Sequence, residues 1–118
     1  MINIYSSSRY KLNKKRLITY AQSVLESHNG GSSSVLNIAF VGKRKMKQVA
    51  LTYKNEHVAL PVLSFSYRED PLLKTENVVG EIVICYPQAV LLAAQRQKIV
   101  DTMMEELIKH GLQNIFLK

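Results

Sequence analysis

Acidic residues are almost missing from the first half of this chain of 118 residues. Residues 1–54 hold ten of the sixteen Lys and Arg but a single acid, Glu26, whereas residues 55–118 hold six basic and eight acidic residues. The net charge of +7 is therefore concentrated in the amino-terminal half. Lys and Arg that contact phosphates release condensed counterions and gain affinity independent of sequence, so the asymmetry points to nucleic acid as partner over a merely soluble basic surface. Cysteine is also scarce: Cys85 stands alone, which excludes a disulfide within the chain. It lies beside Ile82, Val83 and Ile84, the setting of a buried strand thiol and not of a nucleophile. Long apolar runs are missing too. None approaches the roughly 20 residues of a membrane span, and the first residues lack the order of a secretory signal, so the expectation is a soluble, cytoplasmic protein with no membrane partner. With 47% hydrophobic residues, the length fits one domain over 1–118.

Met1 to Tyr5 alternates as a short strand, closed by Ser6-Ser7-Ser8. Asn13 is placed to cap a helix whose apolar residues Leu17, Ala21, Val24 and Leu25 share one face and which ends near His28-Asn29-Gly30-Gly31. Gly30 to Ser34 is a connector, and Val35 to Val41 a strand of the central sheet. A helix follows Gly42, with Met46, Val49, Ala50 and Tyr53 inward. Val62 to Ser66 is a strand, Tyr67 to Asn77 an exposed loop, and Val78 to Cys85 a strand interrupted by Gly80 and Glu81. Pro87 suits the first turn of a third helix, and a last helix over about Lys98 to Asn114 buries Ile99, Met103, Leu107 and His110. The expected fold is α+β (mixed α/β): one four-stranded mixed sheet flanked by about four helices, with the last two strands pairing directly.

Both early helices open with cations, Lys14, Lys15 and Arg16 after Asn13, and Lys43, Arg44, Lys45 and Lys47 after Gly42. A helix N-terminus already carries partial positive charge, so each such cation costs roughly 0.3–1 kcal/mol at low salt. Bound phosphate relieves that repulsion, which makes these seven residues the candidate nucleic-acid contacts. In the last helix, His110 and Asn114 lie one turn apart and can face one ion together. An amide oxygen is a weak zinc ligand beside an imidazole, so this pair alone makes a poor metal site.

Three segments in order, Val62-Leu63-Ser64-Phe65-Ser66, Gly80-Glu81-Ile82-Val83-Ile84 and His110-Gly111-Leu112, resemble the YbeY endoribonucleases, a bacterial rRNA-maturation family. Together with Val35 to Val41 they cover nearly the whole chain. The resemblance implies a mixed four-stranded sheet, RNA as substrate, the small ribosomal subunit and its proteins as partners, and a metal held by three histidines. The family typically reads Thr-Asp-Val-Leu-Ser-Phe-Pro, Gly-Asp-Ile and His-Gly-x-Leu-His followed by Gly-Tyr-Asp-His. Here His110 falls on the first metal-binding histidine and Asn114 on the second, while the third would lie beyond Lys118. Glu81 replaces the Asp of Gly-Asp-Ile, Leu60-Pro61 the Thr-Asp pair, and Lys54 a conserved arginine of the RNA groove. Lys43, Arg44 and Lys45 replace an acidic helix start. The scaffold is kept, the metal site depleted and the basic surface enlarged.

No tightly bound cofactor is therefore expected. RNA carries its own nucleophile, the 2′-hydroxyl, and needs only a base that titrates near neutrality and positive charge beside the phosphate. His110 is the candidate base and Lys54 the candidate cation. A helix C-terminal histidine that merely favours the dipole is the competing reading of His110. Three functions follow: an endoribonuclease with little or no metal dependence, a non-catalytic RNA-binding or ribosome-assembly factor on the same scaffold, or a module that binds an acidic protein.

Overall fold

The computed structural model describes residues 1–28, 34–67 and 78–117. Four strands form one sheet, β1 (Ile2–Tyr5), β2 (Val35–Val41), β3 (Val62–Ser66) and β4 (Val78–Cys85), in the order β1-β2-β4-β3. β1, β2 and β4 run parallel and β3 pairs antiparallel with β4, so the sheet is mixed. Each strand is a short run rich in branched residues, and burial alternates along β2, with Leu36, Ile38 and Phe40 inward. Gly80 and Glu81 do not interrupt β4, which is continuous. The irregularity lies in the pairing, where Val35 faces Val78 and Leu36 faces Gly80, leaving Val79 as the extra residue of a bulge.

The helices are α1 (Lys14–Ser27), α2 (Lys43–Lys54), α3 (Tyr86–Gln95) and α4 (Val100–Phe116). Asn13 caps α1 by accepting a hydrogen bond from the Arg16 amide at 3.1 Å, a contact of about 1 kcal/mol in typical helices. α2 ends where Asn55 turns to a left-handed conformation, φ 54°, closing the last turn onto the Ala50 carbonyl. Pro87 sits in the first turn of α3, where a missing N–H costs nothing.

Two layers flank the sheet. α1, α3 and α4 pack on one face, where Leu17, Leu25, Ile38, Ile82, Met104 and Ile108 form the main core. Among the described residues α2 alone packs on the other, with Met46 and Ala50 against Leu63 and Cys85. At roughly 1.5–3 kcal/mol for each large apolar side chain fully buried, the three-helix face carries most of the stability. Three residues expected inside are not. Tyr53 is 66% exposed, because the last turn of α2 runs past the apolar patch, and Ile99 is 63% exposed, because it caps α4 and is not part of it. His110, expected buried, is exposed. The connector and most of the polar loop lie outside the described residues.

α4 approaches β4 closely. A Cβ built on Gly111 would lie 2.8 Å from Ile82 Cδ1, and one on Gly80 would lie 2.9 Å from Ile115 Cδ1 and 2.3 Å from the Phe65 carbonyl oxygen. These two glycines fix how deep α4 sits. α1 and α4 are joined by Arg16, whose Nε and Nη2 donate to the Glu105 carboxylate at 2.8 and 3.2 Å, with Asp101 at 3.8 Å. The His28 ring stacks on Phe116 at their far ends, 5.3 Å between centroids.

Candidate functional site

His110 is set by its neighbour. Gly111 faces the sheet, and successive helical residues are turned by about 100°, so the imidazole projects sideways toward the start of β3. There it lines an open cleft of about 500 Å³ with Pro61, Val62, Arg96, Glu106, Lys109 and Gln113. Glu106, one turn before His110, is held by Lys98, whose ammonium lies 2.6 Å from both carboxylate oxygens. An exposed imidazole between cations and a carboxylate is equipped to move a proton beside a phosphate. Arg96 and Lys109 did not emerge from the sequence as candidates. Lys109 was legible as the residue beside His110, whereas Arg96 arrives only because α3 ends next to α4.

Lys54 is not brought to this cleft. It ends α2 on the opposite face of the sheet, with its ammonium 6.0 Å from the centre of the Phe65 ring, and Phe65 belongs to the α2 side. The Tyr53 ring meets Phe65 edge-on at 5.3 Å. Beside this group the Tyr67 hydroxyl donates to Glu81 Oε1. Burial, and then that hydrogen bond, push the Tyr67 hydroxyl far above its ordinary range.

The expected RNA contacts divide as well. Lys14 and Lys15 open α1 on one face, and Lys43, Arg44, Lys45 and Lys47 stand exposed on α2 on the other. Arg16 differs from its neighbours. The Glu105 hydrogen bond, reinforced by the charges of Glu105 and Asp101, raises its pKa above the usual guanidinium value despite some desolvation. Its fork is already occupied by a carboxylate, so it serves the α1–α4 contact. Cys85 is buried, as expected; burial pushes its thiol up, while a backbone hydrogen bond from Gln88 and the charge of Lys43 pull the other way.

A histidine-bound metal, implied by the resemblance, has little to hold it. Asn114 lies one turn beyond His110 and is exposed. Among the described residues no three His, Cys, Asp or Glu side chains are grouped to take one ion. One imidazole and one neutral amide fall short of the three protein ligands that a catalytic zinc site uses.

A mixed four-stranded sheet with three helices on one face, one on the other and a histidine cleft at the β3 edge defines an α+β domain. The family model for endoribonuclease YbeY matches residues 2–115, and the chain belongs to that family. Relatives named endoribonuclease YbeY include one from Phytoplasma australiense, 27% identical over 97% of this chain and 77% of its own length, and one from Azoarcus sp. (strain BH72), 26% identical over 86% of this chain and 40% of its own. A further relative from Cupriavidus necator is 27% identical over 84% of this chain and 46% of its own length, so the chain spans less than half of two of these three relatives. The solution structure of TM1509 from Thermotoga maritima shares the fold, with a TM-score of 0.63 over 98% of this chain and 71% of its own at 17% identity. Among the described residues no helix is long and apolar enough to cross a membrane.

Proposed function

We propose that this protein is an endoribonuclease whose cleavage site is the His110 cleft. The observation that carries the reading is the exposed imidazole of the His110-Gly111 pair, set beside Arg96 and Lys109 in one opening. The imidazole accepts the proton of the 2′-hydroxyl, and the 2′-oxygen bonds to phosphorus as the bond to the 5′-oxygen breaks. The leaving oxygen takes a proton from solvent and the imidazolium returns one to it. Arg96 and Lys109 balance the charge that grows on the phosphoryl oxygens, the part assigned to Lys54 from sequence. No step needs a metal. The substrate class is RNA, and cytoplasmic rRNA precursors of the small subunit are its setting within the family.

Product analysis tests this reading. Cleavage leaves a 2′,3′-cyclic phosphate and a 5′-hydroxyl, and a single 2′-deoxy substitution at the cleaved position stops it. Products ending in a 5′-phosphate contradict it, since a water nucleophile would then be at work.

The incomplete metal donor set favours a second reading, an RNA-binding assembly factor without catalysis. It predicts that purified protein binds RNA with steep salt dependence yet never shortens it.

A further inference from the structure

We propose that the edge formed by the carboxyl ends of β1, β2 and β4 is a second RNA-contact surface, which holds the phosphate backbone apart from the His110 cleft. The inference rests on the reading of the chain as an RNA-acting protein. Because these three strands are parallel, their carboxyl ends lie at one edge, where α1, α2 and α3 begin. The structure ties those beginnings together. The Tyr10 ring, in the segment leading into α1, stacks on Tyr86, the first residue of α3, at 4.4 Å and 16°. The Tyr86 hydroxyl donates to the Lys11 carbonyl at 3.3 Å, and the Tyr10 hydroxyl fills the space that a side chain on Gly42, the cap of α2, would need.

Helices on opposite faces thus present their cations along a common rim. Arg9, Lys11, Lys14, Lys15, Lys43 and Arg44 are all exposed, and none is ion-paired with a described carboxylate. The carboxylates beside α1, Asp101 and Glu105, are already held by Arg16. Unpaired cations gathered where helix starts add their own positive field repel one another until an anion arrives. The rim reaches both sides of the sheet, so one phosphate cannot satisfy it. A ligand with negative charge repeated along its length can, and an RNA backbone is such a ligand.

The test measures binding of a labelled single-stranded 2′-O-methyl RNA, which lacks the free hydroxyl, across a salt series. The proteins are the parent chain, the triple variant Arg9→Gln, Lys11→Gln, Arg44→Gln, and His110→Gln. All three substituted cations are exposed, so the triple variant keeps the parental circular dichroism and melting temperature. The expected result is weaker binding by the triple variant, with the slope of log affinity against log salt shallower by about 2, from about 0.7 for each lost single-strand contact. His110→Gln keeps the parental slope. An unchanged slope and affinity in the triple variant overturn the rim while leaving the nuclease reading intact. Failure of the parent to bind RNA at all overturns that reading and the rim with it. Competition by poly-glutamate as effective as that by unlabelled RNA also overturns the rim as an RNA surface, in favour of an acidic protein.

Discussion

Gly111 lies directly against Ile82, close enough that a Cβ on the glycine would sit 2.8, 3.0 and 3.1 Å from three atoms of the isoleucine side chain. The contact sets the depth of α4 and, through it, the direction of His110. Gly111→Ala has a helix-propensity gain of about 1 kcal/mol to offset an overpacking cost of typically 1–3 kcal/mol. The expected net is a loss of stability, read as a lower urea midpoint. Gly80→Ala is expected to lose more, because its obstacle includes the Phe65 carbonyl oxygen at 2.3 Å, backbone that cannot turn away.

Arg16 is tied to Glu105 and Asp101 across the α1–α4 contact. Arg16→Gln is expected to lower the melting temperature at low salt, with the difference from the parent shrinking as salt rises, while RNA affinity stays as it was. Lys15→Gln is expected to behave the opposite way, since Lys15 has no carboxylate partner among the described residues. Melting curves and a binding titration on the two variants check both.

Tyr67 and Cys85 hold their protons more tightly in the folded chain, chiefly through burial. Each is neutral when protonated, and its pKa is raised on folding. The stability each contributes is therefore complete below its ordinary value, about 8.5 for a thiol and 10 for a tyrosine, and is lost as the pH climbs toward its folded value. Unfolding midpoints are expected to hold below about pH 8.5 and to fall steadily above it, and Tyr67→Phe is expected to flatten the upper part of that decline.

Much of the fold is legible in the sequence because the strands are short, largely apolar runs set off by punctuating residues. Val35 to Val41 ends at Gly42 and Val62 to Ser66 begins after Pro61, and β2 and β3 have those bounds. Helical spacing shows which residues share a face but not where the packed stretch stops, which is why Tyr53 and Ile99 were expected inside. The site is less legible still. No local pattern tells that α2 crosses to the other face of the sheet from α4, so Lys54 and His110 read as partners until the layers are seen. Conversely, Lys14 and Lys43 lie far apart in sequence, and only the parallel strands bring their helix starts to one edge.

The most direct measurement is the rate of RNA cleavage by highly purified parent and His110→Ala proteins, each with and without EDTA. A parent that cuts equally well with chelator and a variant slower by about 10² to 10⁴-fold, the usual worth of general acid–base catalysis, is the predicted result. Cleavage by His110→Ala at the parental rate contradicts the account.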